Sequence, residues 1–310
     1  MAFLKAFGSY LPPRIVRNEE IGAMVGSSAE WIFNVSGIEE RRYAGEAETV
    51  ADMAVAAAQE CISSAGMRAT DLGMLLVASG SSERRFPGPA ATVARKLNLD
   101  SVPAVDLPLA SAGSLFGMAM AANLAAAHGN ILVVASEKMS SVALKAPMNP
   151  STSVLFGDGA GACLVSPDAG LAKVVDSALF TDGAFSEDLK LELDGPLEMN
   201  GRTVILQASR KIPRAIGELL EKCGRAPADA SCFLMHQANQ NLIDRVAGAL
   251  GVAAEKFYSN IRRYGNTSSA SMLIAAAEWQ KQAGFESGVP VVFATFGAGF
   301  HWGALLTEGC

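Results

Sequence analysis

One plan is written twice along this chain, at an offset of 158 residues, and that duplication limits the possible folds more than any single motif does. Residues 52–79 combine an apolar helix face (Met53, Ala56, Ala57, Cys61) with Gly66, Asp71 and the run MLLVAS. Residues 208–236 repeat this with Ile212, Ile216, Leu219, Leu220 and Cys223 on one face, then Gly224, Asp229 and FLMH. Short helices ending in Leu97-Asn98-Leu99 and Leu250-Gly251-Val252 are each expected to lead into a strand. VPAVDLPLASAG then opens a helix reaching His128-Gly129 before ILVVAS, and YGNTSSAS opens one ending near Gly284 before VPVVFATF. Each half is expected to close on a glycine turn inside a strand pair, FGDGAGACLV in one and FGAGFHWGALL in the other. Short β-branched runs alternating with helices predict parallel-type strands covered on both sides. The expectation is an α/β chain of two similar halves, 1–168 and 169–310, layered about shared buried helices. LFGMAMAANLAAA, apolar all round, fits one such helix, and its partner in the other half would bring Ser111 and Asn266 to a common centre.

With 310 residues, half of them hydrophobic, the chain has ample material for a large core. Its 25 Lys and Arg against 31 Asp and Glu give a charge of -6, the wrong balance for nucleic acid. MAFLKAFGSYLPPR lacks the apolar core of a signal peptide. The most apolar run, 104–127, is broken by Asp106 and by Gly, Ser and Pro, which predicts a core helix and no membrane span. Five scattered cysteines (Cys61, Cys163, Cys223, Cys232, Cys310) without a C-x-x-C suit a reducing cytosol and no metal site.

His236 follows directly on an apolar strand, where a histidine is often only a satisfied polar residue; His128 reads as a helix end and His301 as strand packing. Ser111 and Asn266-Thr267 stand where helices begin, so capping explains them as well as chemistry does. The functional interpretation gains from convergence, because the repeat aims a hydroxyl, an imidazole and an amide at one buried helix terminus, whose dipole favours developing negative charge.

SGIEERRYA, VDLPLASAG, FGDGAGA, HQAN, YGNTSSAS and FGAGFHWG occur in an order and spacing that resembles the β-ketoacyl-acyl-carrier-protein synthase III enzymes of the thiolase-fold superfamily, over nearly the whole chain. The resemblance implies a thiolase-like layered αβαβα core and a homodimer, which the cysteine pattern places in the cytoplasm. It also implies an enzyme that takes an acyl group from acyl-CoA or acyl carrier protein and condenses it with malonyl-acyl carrier protein as CO2 leaves. No cofactor is implied beyond the CoA thioester as substrate. Carried across, His236 and Asn266 match the histidine and asparagine that bind the thioester carbonyl, and the backbone N–H groups of Ser111 and Ala298 match the oxyanion hole. Trp31 matches a residue that stacks on the CoA adenine, Phe86 one that lines the neighbouring subunit's acyl tunnel, and Phe296 an active-site aromatic; Phe156 and Asn239 complete the expected substrate contacts. Arg210, Lys211 and Arg214 form the expected docking patch for an acidic carrier protein. Val35 and Pro150 replace arginines that well-known members carry near the CoA nucleotide.

Ser111 occupies the place of the family's nucleophilic cysteine. A thiol titrates near 8.5 and attacks as thiolate, whereas a serine hydroxyl needs an adjacent base, here a neutral His236, and yields a less reactive oxygen ester. Three alternatives stay open: a serine enzyme specialised for acyl loading or transfer, a cysteine enzyme altered to trap an acyl-enzyme, or an inactive partner subunit. The other cysteines offer no substitute, because Cys61 and Cys223 fall on helical core faces, Cys163 in a strand, Cys232 before one and Cys310 at the end.

Overall fold

The computed structural model describes residues 1–192 and 195–310. Its strands are β1 (Phe3–Tyr10), β2 (Arg14–Arg17), β3 (Glu40–Tyr43), β4 (Leu72–Ala78), β5 (Ala104–Leu107), β6 (Asn130–Lys138), β7 (Asp158–Ser166), β8 (Ala172–Thr181), β9 (Leu189–Leu191), β10 (Leu197–Met199), β11 (Cys232–Met235), β12 (Pro290–Gly297) and β13 (His301–Gly309). The helices are α1 (Asn18–Val25), α2 (Ala29–Ser36), α3 (Val50–Ser64), α4 (Pro89–Lys96), α5 (Gly113–His128), α6 (Ser140–Ala143), α7 (Pro150–Ser153), α8 (Gly201–Lys222), α9 (Gln240–Leu250), α10 (Ile261–Tyr264) and α11 (Ser271–Gln282).

Nine strands form one mixed sheet, ordered β11-β12-β13-β8-β1-β7-β6-β4-β5. Its centre is thin, because β1 and β8 share only the pairs Phe3–Lys173 and Leu4–Ala172, so the two lobes fold back about that seam. Alternation with period two then sorts the side chains. Leu75, Val77, Leu132 and Val134 pack outward on α3 and α4, while Met74, Leu76, Ile131 and Val133 face inward. Phe233, Val292 and Leu306 likewise pack on α8 and α9, while Leu234, Val291 and Leu305 face inward. The inward faces of both lobes share one core with α5 and α11. This gives five layers, helix, strand, helix, strand, helix, as the duplicated sequence predicts.

The repeat is legible in the backbone. Gly66 and Gly224 both turn left-handed, at φ 64° and 68°. The 3-10 turns Ala69–Asp71 and Pro227–Asp229 follow, each closed by its aspartate on a backbone N–H three residues earlier, at 3.0 Å in one and 2.7 Å in the other.

Four expectations are corrected. The strands are mixed in direction, with β4-β5, β4-β6 and β11-β12 parallel and the other sheet pairs antiparallel. After Leu250-Gly251-Val252 the chain makes only an isolated bridge, Phe233 to Phe257, where the first half has β5. FGDGAGA is no turn: Gly159 and Gly161 lie in the first half of β7, where a Cβ on Gly161 would stand 2.6 Å from that of Leu273 on α11. They are there for helix-sheet approach, whereas FGAGF does form the hairpin between β12 and β13. Finally, α11 is buried through most of its length, but α5 is buried mainly in its first two turns and exposes Met120. Among the described residues no helix is long and apolar enough to cross a membrane.

Candidate active site

Ser111 stands in the turn between β5 and α5, buried and with φ at 63°, a left-handed conformation uncommon for any residue but glycine. Such a backbone costs roughly 1 to 3 kcal/mol and persists where its surroundings impose it. Here Thr295 Oγ1 on β12 donates to the Ser111 carbonyl at 2.9 Å, and a Cβ on Gly297 would come within 2.0 Å of the Ala110 carbonyl. The capping interpretation fails for this serine, since the N-cap of α5 is Ala112 and no side chain caps it. Instead the Ser111 N–H donates to Ser268 Oγ at 3.0 Å, and the two hydroxyls lie 3.4 Å apart.

His236 leaves the end of β11 with its N–H donated to the Ala294 carbonyl at 2.9 Å. Its ring is buried and tilted against Phe296 at 5.3 Å, and burial pushes its pKa down to about 3, so it is neutral at pH 7. Nδ1 lies 2.6 Å from Ser271 Oγ, which also accepts the Gln237 N–H at 3.0 Å. We assign the proton from this arrangement. Among the described residues Nδ1 is the one acceptor bonded to Ser271 Oγ, so the hydroxyl proton is assigned toward Nδ1 and the ring proton to Nε2.

Asn266 is held on both sides by the chain at β7: its N–H donates to Leu155 O at 2.9 Å and its carbonyl accepts from Gly157 N–H at 3.0 Å. Its Oδ1 accepts the Ser268 N–H at 2.9 Å, which leaves the NH2 as the end able to reach a ligand. Capping-type bonding is thus part of its role. His236 and Asn266 have both committed their acceptor atoms to the protein and keep N–H donors in reserve, an arrangement suited to an oxygen acquiring negative charge. The segment Asn266–Ser271 links all three predicted residues, with Ser268 on Ser111 and Ser271 on His236. Sequence reasoning missed these two serines. Their only signal is the run NTSSAS, which by composition is equally a helix start.

A cavity of about 50 Å³ opens beside Ser111, lined among others by Ser268, Ala298, Phe156, Met139 and Val142. It shares Gly80 and Leu191 with a 650 Å³ cavity flanked by Arg84 and Asp106, and Leu197 with a 630 Å³ cavity beside Pro147 and Pro150. The remaining expected residues lie farther out. Phe86 is 85% exposed, and Trp31 is 41% exposed on α2. Asn239 spends its amide on the Val35 carbonyl at 2.7 Å, tying α9 to α2. Of the expected docking patch, Arg210 is exposed and Arg214 pairs with Glu218 at 2.7 Å. Lys211 instead turns inward, pairing with Asp182 at 2.5 Å and lying 4.4 Å over the Trp302 ring.

Residues 105–183 match the model of 3-oxoacyl-[acyl-carrier-protein (ACP)] synthase III, and residues 220–308 match that of its C-terminal region. The chain is 36% identical to the beta-ketoacyl-[acyl-carrier-protein] synthase III of Oleidesulfovibrio alaskensis, with 98% of each protein covered. The chain belongs to the 3-oxoacyl-[acyl-carrier-protein] synthase III family. The crystal structure of the Aquifex aeolicus synthase III superposes with a TM-score of 0.95 at 33% identity, covering 99% of this chain and 100% of that one. The priming beta-ketosynthase of the R1128 polyketide pathway gives 0.92 at 29% identity, covering 100% and 96%. The five-layered architecture is therefore the thiolase-like fold of the synthase III enzymes.

Within this synthase III chain the thiols are poor substitutes for the Ser111 hydroxyl. Burial pushes Cys61 and Cys232 up to about 12 and raises Cys163 as well; Cys223 ends α8 and Cys310 ends the chain. Burial of His236 also has a measurable consequence for stability. Its folded pKa, about 3, lies below the ordinary 6.5, so the unfolded chain takes up a proton first as pH falls. The stability is complete above about pH 6.5 and is lost at about 1.4 kcal/mol per pH unit on the way down toward the folded value. Urea unfolding should lose about 2 kcal/mol between pH 7 and 5, the slope steepening toward its full value below 6.5, and His236→Gln should flatten it; an unchanged slope in the variant would mean that the ring is hydrated.

Proposed function

We propose that this chain is an acyltransferase that receives an acyl group from acyl-CoA or acyl-[acyl-carrier-protein] on Ser111 and condenses it with malonyl-[acyl-carrier-protein]. The observation that carries this is the paired donors, His236 Nε2–H and the Asn266 NH2, each oriented by a serine-rich turn. The Ser111 oxygen attacks the thioester carbonyl, the thiol departs with the hydroxyl proton, and an acyl ester remains. Malonyl thioester then loses CO2, and the electron pair moves onto a thioester oxygen held by the two donors. The resulting enolate attacks the ester carbonyl, and the Ser111 oxygen leaves and regains a proton. The oxyanion formed in either attack would be met by the N–H groups of Ser111 and Ala298, which requires the Ser268 hydroxyl to give up its bond to the Ser111 N–H.

A second reading, acyl transfer without condensation, is favoured by the partner of the Ser111 hydroxyl, which is another hydroxyl and not the imidazole. Incubation with a panel of acyl-CoA and acyl-carrier thioesters, with and without malonyl-carrier protein, separates the two by intact mass. A 3-oxoacyl product supports condensation; an acyl adduct on Ser111 that never condenses supports transfer alone; neither product overturns both.

The homodimer is supported by β5, which ends the sheet with Val105 42% exposed, and by Phe86 standing exposed nearby, since an unpaired apolar edge invites a second copy. Sedimentation at micromolar concentration should give twice the chain mass. Carrier protein is the favoured donor. The cavity beside Pro150 is flanked by Glu187 and Glu198, and among the described residues its lining holds no cation for a CoA phosphate. With Lys211 turned inward, Arg210 and Arg214 remain to meet an acidic carrier. Reversing both charges should raise KM for the carrier substrate about fivefold, roughly 1 kcal/mol, and leave acyl-CoA kinetics unchanged. An unchanged KM would move the docking surface elsewhere.

A further inference from the structure

We propose that Glu137 is a positioning residue for this reaction, clamping the turn that carries Asn266 and Ser268 to the strand end that lines the cavity beside Ser111. Glu137 sits near the end of β6 with no exposed surface, and among the described residues no cation pairs with it. The neighbouring Lys138 ammonium is taken up by the carbonyls of Gly45, Glu46 and Glu48 at 2.8, 3.1 and 2.7 Å. A buried carboxyl group without a cation on it is retained only where hydrogen bonds replace its water.

Those bonds come from two segments. From the end of β4, Gly80 N–H is shared between Oε2 at 3.0 Å and Oε1 at 3.1 Å, and Oε2 also accepts Ser79 Oγ at 3.3 Å and Ser81 Oγ at 2.5 Å. From the turn before α11, Oε1 accepts Ser269 N–H at 3.3 Å and Ser269 Oγ at 2.6 Å. Ser269 lies between Ser268, which touches Ser111, and Ser271, which touches His236. Gly80 lines the cavity beside Ser111. One carboxylate therefore fixes both walls about the reacting serine.

The geometry also explains why the group is an acid and not an amide. Each oxygen faces a backbone N–H, which cannot reverse to accept. A glutamine with its NH2 at the Oε1 position would face Ser269 N–H and lose that side of the clamp; with its NH2 at the Oε2 position it would keep both N–H groups on its oxygen but set a donor against Gly80 N–H, so either way the clamp is weakened without a change of volume.

The inference rests on the roles given above to Ser111 and Asn266, and the test separates the two. Glu137→Gln should lower kcat for decarboxylation of malonyl-carrier protein by about 10- to 100-fold, the scale set by small misplacements of reacting groups, with KM within threefold. Ser269→Ala should lower kcat in the same direction. The double variant should be no worse than the poorer single one, because both act through one clamp. Losses that multiply, a kcat for Glu137→Gln within twofold of the parent, or a loss that only tracks the fraction unfolded would each overturn the proposal. Should Glu137→Gln not fold, a full kcat in Ser269→Ala overturns it equally. Asn266→Ala serves as the control: if it fails to lower decarboxylation, the reading of the site is at fault; if it does lower it while Glu137→Gln does not, only the clamp is wrong.

Discussion

Decarboxylation of malonyl-carrier protein should fall about 100- to 1,000-fold in His236→Ala and in Asn266→Ala, the usual cost of removing one donor from a preorganised anion site. The expectation follows from protonation as much as from position. A His236 pKa near 3 keeps the ring uncharged throughout the physiological range, and the Ser271 hydroxyl on Nδ1 leaves Nε2 as a donor. Such a ring steadies an enolate oxygen without titrating, so the rate should be flat in pH from about 5 to 8. Asn266 can donate because its Oδ1 is already engaged by Ser268 N–H at 2.9 Å. Stopped-flow measurement of CO2 release, with the melting temperature recorded beside it, tests both variants. Retained decarboxylation with a collapsed melting temperature would reduce the two residues to packing and turn formation.

Ser111→Ala should abolish the covalent acyl adduct altogether, and Ser111→Cys should raise condensation at least tenfold, which asks for only about 1.4 kcal/mol of barrier. The hydroxyl bonds Ser268 Oγ and the His236 Nδ1 bonds Ser271, so among the described residues no base is hydrogen-bonded to Ser111, contrary to the expectation of His236 as its base. A thiol needs less help, because it ionises nearer neutrality and because the start of α5 behind it favours a thiolate. The thioester it forms is also the better electrophile for a carbanion. Tryptic mass mapping should find the acyl group at position 111 in the parent and in the cysteine variant. Efficient acylation without a gain in condensation would mark the site as a transferase; a label on any native cysteine would overturn the role of Ser111.

Much of this was legible in the sequence where one local rule acts twice. Gly66 and Gly224, with Asp71 and Asp229, repeat because a left-handed turn followed by an aspartate-closed 3-10 turn needs those residues wherever it occurs. The period-two and helical patterns exposed the helices, the strands and the two-lobed core in the same way. His236 and Asn266 were legible through motif order, which carries the resemblance.

What the tertiary structure alone decided concerns partners far apart in the chain. Ser111 meets Ser268 across 157 residues, and Glu137 meets Ser269 across 132. No periodicity records such pairs, so two serines read as helix starts and an acid that drew no notice became the parts that orient the site. FGDGAGA carries turn residues, yet Gly159 and Gly161 make room for α11 against β7. Lys211 sits on a helix stripe that looks basic, yet Asp182 and the Trp302 ring draw it inward. Sequence by itself determined the duplicated elements and the residue types available for chemistry, because backbone preference and amphipathic spacing act over a few neighbouring residues. Only the fold decided which hydroxyl faces which nitrogen, because that depends on how two distant halves close on one pair of buried helices.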